Sequence, residues 1–241
     1  ADEGWTRLVL ENFEFKYDSV HNAEIRAGDL RKRYDCLVLP SASGGSIVNG
    51  MGVDATEPQY VGGIGSEGIV ALQSFVQEGG TLVCLDASCN FPIDYFHIPV
   101  RNALRDKAAK EFYCPGSVLR IWVDRQHPVG YGLPEWVSGY FTRSQAFEVV
   151  EKPKKPEDGD ARNPSVRYPA RVIARYSDTV LLESGWIRAP ECITDKPAIV
   201  EVRYGEGKII LLGFRVQHRA QPHGTFPLLF NSILSSTVDS K

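Results

Sequence analysis

Two short apolar segments separated by a helical pattern constrain the fold more than any other feature of the sequence. DCLVLP (35–40) and TLVCLD (81–86) are almost continuously apolar, which is typical of parallel strands buried on both faces. Between them, the apolar residues of SEGIVALQSFVQEGG (66–80) recur at helical spacing, with Ser66 as an N-cap and Gly79 as a stop. A strand, a helix and a strand in this order predict a right-handed βαβ unit with parallel strands.

Later segments predict strands that join the same sheet. These short runs are SVLRIWVD (117–124), RVIARY (171–176), AIVEVRY (198–204) and KIILLGF (208–214). The YGEG sequence between the last two predicts a hairpin turn. The sequence therefore predicts an α/β fold with a mostly parallel sheet and an antiparallel hairpin late in the chain.

The two ends of the chain and the segment after residue 28 give further predictions. Asp2 can cap a first helix with apolar residues at helical spacing, and FEFKY (13–17) then alternates like a strand. Asp29 is expected to open a short helix, and TFPLLFNSIL (225–234) predicts an apolar helix near the end.

Composition and charge are those of an ordinary folded protein. Of 241 residues, 43% are apolar and 24% charged, enough for a full core. We expect one domain over 1–241, with the charged, proline-rich stretch 152–164 as a surface excursion. The net charge of −3 does not indicate a nucleic-acid or anionic-membrane partner, and no apolar run could span a bilayer. The five cysteines are scattered, so neither a disulfide framework nor a zinc site is indicated, and no metal or cofactor is predicted.

Two loops are expected at the edge of the sheet where ligands bind. In open α/β sheets this edge is the one beyond the carboxyl ends of the strands. The loops that follow TLVCLD and KIILLGF both belong there. Together they could supply a nucleophile and a base, the plan of class I glutamine amidotransferases and related hydrolases. The candidates are Ser88 or Cys89 as the nucleophile and His218 or His223 as the base.

The residues around the candidate nucleophiles argue against catalysis. A nucleophile on a tight strand-to-helix turn needs small residues two before and two after it. Phe91 stands two residues after Cys89, and Asp86 stands two residues before Ser88. The alternative is that Ser88 caps the following helix and Cys89 packs in the core.

The loop after KIILLGF also predicts a binding surface. Its Arg, Gln and His side chains offer several hydrogen-bond donors, which suits an anion or a sugar. The structural alternative is that these side chains bond the backbone of neighbouring loops. The residues in question are Arg215, Gln217, His218, Arg219 and His223. Three aromatic residues, Tyr168, Trp186 and Trp136, fit core and interface roles equally well.

A zinc site is the third possibility that the sequence raises. His21 and Glu24 have the H-x-x-E spacing of zinc carboxypeptidases, and His127 follows about a hundred residues later. A motif with only two fixed residues often occurs by chance, and His127 lies in a turn-rich segment. We therefore favour His127 as a solvated loop histidine.

Several long stretches resemble one family of domains. The sequence is similar, over nearly its whole length, to the C-terminal domain of bacterial secreted zinc carboxypeptidases of the carboxypeptidase A type. The stretches are DEGWTRLVLENFEF, AEIRAGDLRKRYDCLVLP, YVGGIGSEGIVALQSFVQEGGTLVCLDASC, EFYCPGSVLRIWVD, HPVGYGLP and GEGKIILLGFRVQHRAQPHGTFPLLFNSIL. The resemblance implies a flavodoxin-like three-layer sandwich of the class I glutamine amidotransferase-like type, a class that also includes the middle domain of some β-galactosidases.

The resemblance also implies what this domain does and where. Such relatives usually lack the amidotransferase nucleophile, and true amidotransferases have a Glu two residues after the catalytic His, where this chain has Ala220 after His218. The implied function is a non-catalytic accessory or binding domain, secreted or periplasmic, whose partner is an upstream carboxypeptidase-like domain. The alternatives are a cysteine or serine hydrolase using Cys89 or Ser88 with His218, and a module that binds a small polar or sugar ligand. Relatives also have a further strand before DEGWTR, so either the sheet lacks it or another segment takes its place.

Overall fold

The computed structural model describes residues 2–52, 54, 61–150 and 168–237. The stretch 152–164, predicted as a surface excursion, lies outside the described residues. Within the described ranges, no helix has the length and apolar character needed to cross a bilayer.

Most of the helices lie before, between or just after the first two strands of the chain. The α-helices are α1 (Asp2–Asn12), α2 (Asn22–Ala27), α3 (Gly44–Asn49), α4 (Gly65–Gln77), α5 (Asn90–Tyr95) and α6 (Phe226–Leu234). Helices α3 and α4 connect the first strand to the second, so the predicted strand–helix–strand order is confirmed.

The strands form one large sheet and a separate small one. They are β1 (Cys36–Leu39), β2 (Thr81–Leu85), β3 (Val100–Asn102), β4 (Ser117–Val123), β5 (Trp136–Phe141), β6 (Phe147–Val149), β7 (Ala170–Tyr176), β8 (Leu182–Ser184), β9 (Pro197–Tyr204) and β10 (Gly207–Leu212). The large sheet has the order β1-β2-β10-β9-β7-β4-β5, with β8 also beside β4, and the small sheet pairs β3 with β6.

The large sheet is parallel in one half and antiparallel in the other. Strand β2 pairs in parallel with both β1 and β10. All the other pairs of this sheet are antiparallel, beginning with the predicted β9–β10 hairpin, where Gly205 turns the chain with φ 64°. The expectation of a mostly parallel sheet therefore holds only for the half that contains the βαβ unit. In the other half, only the β9–β10 pair among the described strands is joined by a tight turn, and β7 pairs with β9 and with β4 although neither is its neighbour in the chain.

The pairing brings the ends of three strands together. Strands β2 and β10 point the same way, and β5, three antiparallel steps further along from β9, points with them. The loops after β2, β5 and β10 therefore leave the same edge, which we call the carboxyl edge.

The core lies on both faces of the sheet. In β2, Val83 and Leu85 face one cluster of buried residues, while Leu82 and Cys84 face the other. Helix α6 covers the first cluster and α4 covers the second. Since a strand buried on both faces must be apolar throughout, the nearly continuous apolar run of β2 is explained.

The segment FEFKY is not a strand, contrary to the prediction. Glu14 adopts a left-handed conformation with φ 60°, which ends α1. Its two phenylalanines instead pack on α6, with the rings of Phe13 and Phe15 each 4.9 Å from the ring of Phe230. The alternation that resembles a strand thus reflects an aromatic contact between the segment that follows α1 and the last helix.

The predicted cap of α4 is wrong, whereas the predicted short helix after Asp29 is confirmed. Helix α4 begins at Gly65 after Ile64, so Ser66 lies inside its first turn. Asp29 directly precedes a short 3-10 helix, Leu30–Lys32, with φ 53° and no capping hydrogen bond from its side chain. It pairs with Lys32 at 2.8 Å instead. Gly79, with φ 101°, follows the end of α4 as predicted.

The strand pairing shows whether another segment takes the place of the further strand that relatives have before DEGWTR. Strand β1 pairs in register with β2, Cys36 opposite Thr81 and Leu39 opposite Cys84. In the part of the chain that the structure describes, no strand stands between them.

Candidate functional site

The tight turn at the end of β2 places Asp86 in the strained position. Asp86 has φ 51°, in the left-handed region that a non-glycine residue rarely adopts. In a nucleophile elbow, the strained residue directly after the strand is the nucleophile. The sequence indicates Ser88 and Cys89 on this turn, but the geometry places an aspartate at the strained position.

The Asp86 carboxylate is buried and ion-paired. The residue is 2% exposed, and its Oδ2 accepts a hydrogen bond from the Ser41 hydroxyl at 2.9 Å. The Arg215 guanidinium lies 3.4 Å from the same oxygen. Burial raises the pKa of Asp86, and the charge of Arg215, with the hydrogen bond from Ser41, offsets only part of this rise. No hydrogen bond reaches Asp86 Oδ1 from the described residues.

Arg215 connects the turn to the first helix. Its Nη1 donates to Asp2 Oδ1 at 2.7 Å, and its Nη2 faces Asp86. Two residues on, Gln217 Nε2 donates to Thr6 Oγ1 at 2.9 Å, and both side chains are buried. Two of the five predicted binding residues therefore hold α1 against the carboxyl edge.

Ser88 and Cys89 have structural contacts. The Ser88 hydroxyl accepts from the Leu85 amide at 2.8 Å and donates to the Leu39 carbonyl at 2.8 Å, which ties β2 to β1. The Cys89 thiol is fully buried and donates to the carbonyls of Cys84 and Leu212. Burial raises the pKa of Cys89 well above its usual value. This geometry argues against either residue as a nucleophile.

The remaining loop residues are more accessible. His218 stacks on Tyr140, with ring centroids 4.3 Å apart. Its pKa is lowered by burial and by the neighbouring charges of Arg215 and Arg219, so the imidazole is neutral near pH 7. His223 stacks on Phe226 at 4.8 Å.

Two clefts lie on either side of the stacked pair of His218 and Tyr140. The first, of about 660 Å³, has an aromatic floor; its other lining residues are Val118, Pro134, Trp136, Val137, Ser138, Gln221, Pro222 and Gly224. The second, of about 390 Å³, is bounded by charged groups; its other lining residues are Asp2, Trp5, Thr142, Arg215 and Arg219. We call them the aromatic cleft and the charged cleft.

Four of the nine non-glycine residues with a positive φ in the described part of the chain lie in the loops of the carboxyl edge. Asp86, Arg143, Arg219 and Ala220 all have φ between 50° and 55°, and they belong to the three loops of the carboxyl edge. Each such residue costs on the order of 1–3 kcal/mol and persists where surrounding contacts fix it. Strain of this kind is often found at functional sites, and the carboxyl edge is the place where it occurs together with the two clefts.

The residues of the predicted zinc site have other roles. His127 is 3% exposed, so the expectation of a solvated histidine is wrong. Its Nδ1 accepts from the Val129 amide at 3.2 Å, and its Nε2 lies 3.4 Å from Glu201 Oε2. The His21 amide donates to the Glu24 carboxylate at 3.0 Å at the start of α2. Among the described residues, no cluster of three potential metal ligands occurs.

Sequence reasoning missed strand β5, which supplies the floor of the aromatic cleft. Trp136, Ser138 and Tyr140 alternate with the buried Val137 and Phe141. This alternation is the signature of a strand with one solvated face. The signal is present in WVSGYF, and it resolves the choice between core and interface roles for Trp136 in favour of a surface role.

Comparison with known proteins supports the fold and gives no family. No family model matches the sequence, and no curated protein matches it. Two proteins of Salmonella typhimurium described as cytoplasmic have TM-scores of 0.53 and 0.54 at 16% and 12% identity; they align over 96% and 98% of this chain and 85% and 87% of their own. A Thermoplasma acidophilum protein described as part of a GMP synthase has a TM-score of 0.54 at 10% identity, over 97% of this chain and 87% of its own. These likenesses concern the fold alone, and they fit the expected amidotransferase-like class.

Proposed function

We propose that the chain is a non-catalytic binding domain of the class I glutamine amidotransferase-like type. One observation carries the proposal: the strained turn after β2 presents Asp86, a carboxylate buried against Arg215. A nucleophile must be reachable by its substrate and activated by a base. Asp86 is 2% exposed, and a guanidinium, which is always protonated, cannot act as a base.

The binding role rests on the two clefts. A concave site with an aromatic floor and a few convergent polar groups is typical of small-molecule binding, and the aromatic cleft has this form. Arg219 and His218 face the charged cleft, whereas Arg215 and Gln217 are occupied by α1. We therefore assign ligand contact to His218 and Arg219, and a supporting role to Arg215 and Gln217.

The wider context comes from the sequence resemblance alone. It implies a domain at the C-terminal end of a secreted carboxypeptidase-like protein, where it would bind a substrate feature or the catalytic domain. The structure adds a candidate surface for that contact, the carboxyl edge with its clefts.

A labelling experiment separates this proposal from the hydrolase alternative. The native protein at pH 8 is treated with iodoacetamide and, separately, with a fluorophosphonate, and the modified residues are mapped by mass spectrometry. We expect no modification of Ser88 or Cys89, because both side chains are fully buried. The half-buried Cys192 is the internal control for iodoacetamide, and a serine hydrolase added to a parallel sample is the control for the fluorophosphonate. Stoichiometric labelling of Cys89 or Ser88 that is lost in His218→Ala would contradict the proposal.

The binding half of the proposal is tested by a ligand screen. The melting temperature is measured with a panel of neutral and acidic saccharides, amino acids and simple carboxylates. We expect at least one compound to raise the melting temperature of the unmodified chain, and Tyr140→Ala or Trp136→Ala to abolish the rise. A panel without effect, or an effect that both variants retain, would overturn the assignment of the site.

A further inference from the structure

We infer that the two clefts together bind a cyclic, hydroxyl-bearing ligand with one carboxylate, the chemistry of an acidic monosaccharide. The inference rests on the proposed function and names its ligand class. The ring would lie on the aromatic floor, and the carboxylate would reach past His218 to Arg219.

The aromatic cleft suits a sugar ring. Trp136 and Tyr140 lie four residues apart on the outer face of β5 and line the cleft together with Val118 of the neighbouring strand. The Arg120 guanidinium lies over the Trp136 ring, 4.5 Å from its centroid, and covers one face of that ring. The apolar face of a pyranose can pack on such rings.

Polar groups surround this floor where ring hydroxyls would point. Ser138 and Gln221 line the aromatic cleft together with His218. The His218 imidazole, neutral because its pKa is lowered, can both donate and accept a hydrogen bond. A purely aromatic ligand would leave these groups without partners, so a hydroxyl-bearing ring fits better.

The charged cleft contains one arginine outside the ion pairs of the described residues. Arg215 is already paired with Asp2 and Asp86, and its Nε is buried without a hydrogen-bond partner among the described residues. Arg219 also lines this cleft but is exposed, and no described residue forms an ion pair with it. An arginine fork matches a carboxylate in geometry and charge.

Titration calorimetry with matched probes tests the inference. The full chain is titrated with glucuronate, with glucose (the same ring without the charge), with acetate (the charge without the ring) and with benzoate (a ring with a carboxylate but no hydroxyls). We expect glucuronate to bind at least about tenfold more tightly than each of the others, the effect of one charge-assisted hydrogen bond.

The variant Arg219→Gln should reduce glucuronate affinity to that of glucose. Arg125→Gln is the matched control, because Arg125 is exposed and follows β4, which ends at the opposite edge, and it should bind glucuronate unchanged.

The other probes show what kind of site is present if the inference fails. Glucose bound as tightly as glucuronate would show a neutral site, and acetate bound as tightly would show a simple anion site. Benzoate bound as tightly or more tightly would show an aromatic-acid site. Each overturns the inference but leaves the proposed function standing. Glucuronate binding that Arg219→Gln does not weaken, or no glucuronate binding at all, also overturns it, and the wider screen with Tyr140→Ala decides the proposed function separately.

Discussion

At the scale of single residues, Asp86 shows how a strained turn can exist without a reactive group on it. A left-handed non-glycine residue persists only where surrounding contacts fix it. For Asp86 these contacts are the Ser41 hydroxyl and the Arg215 guanidinium. The turn after β2 is thereby connected to the loop after β1, to the loop after β10 and, through Arg215, to α1. In other proteins a turn of this geometry presents a nucleophile, but here its role is structural.

His218 gives a prediction about proton binding at the same scale. Burial first, and then the charges of Arg215 and Arg219, lower its pKa. The NMR titration midpoint of its ring protons should therefore lie below about 6.5, the ordinary value. Arg219→Gln removes one positive charge and should move the midpoint upward, whereas Arg125→Gln should leave it unchanged. A midpoint above about 6.5 in the unmodified chain, or no movement in Arg219→Gln, would show that His218 does not face these charges.

At the scale of secondary-structure elements, a buried pair connects β9 to the loop after β4. His127 and Glu201 are both almost fully buried and lie 3.4 Å apart. Burial alone would raise the pKa of Glu201, but the hydrogen bond from His127 and the charges of Lys208 and Arg203 outweigh it and lower the pKa. The loop histidine predicted to be solvated is thus a link between strands.

The sign of the Glu201 shift gives a pH-dependent stability. Because the folded pKa is lowered, the unfolded chain takes up the proton first as the pH falls. The stabilisation is therefore present above the unfolded value of about 4.3 and is lost as the pH falls through the folded value. Glu201→Gln should lower the free energy of unfolding at pH 7 by about 1–3 kcal/mol, with a smaller difference at pH 3.

Urea denaturation at the two pH values measures this difference. Glu183→Gln, an exposed change on β8, is the control and should have little effect at either pH. A deficit in Glu201→Gln that stays the same at pH 3 would contradict the assigned direction of the pKa shift.

The elements also show which local sequence patterns are sufficient to predict a strand. Strands β2 and β10 are predictable because a strand buried on both faces leaves a continuous apolar run. FEFKY is misassigned because Phe13 and Phe15 pack on α6, a contact between opposite ends of the chain that local alternation cannot encode. The antiparallel half of the sheet is underestimated because strand direction depends on which strands become neighbours.

At the scale of the whole molecule, the candidate site depends on three loops that are far apart in sequence. The polar loop after β10 is a candidate from the sequence alone, and its place at the carboxyl edge follows from the βαβ pattern. The separate roles of its residues are not predictable, because Arg215 and Gln217 meet Asp2 and Thr6, more than two hundred residues earlier.

A loop arginine with only a binding role could be replaced by alanine with little change in stability. The structure revises this expectation for Arg215→Ala, since the side chain holds both α1 and the strained turn.

A double-mutant cycle on Asp86 and Arg215 is the decisive measurement for this molecule. The free energies of unfolding of Asp86→Asn, Arg215→Gln and the double variant are compared with that of the unmodified chain at pH 7. If the strained turn is held by a buried ion pair, the double variant should lose less stability than the sum of the single losses, by roughly 0.5–3 kcal/mol. If the losses simply add, Asp86 and Arg215 do not interact. The strained position after β2, where a nucleophile elbow has its nucleophile, would then not be held by an ion-paired carboxylate.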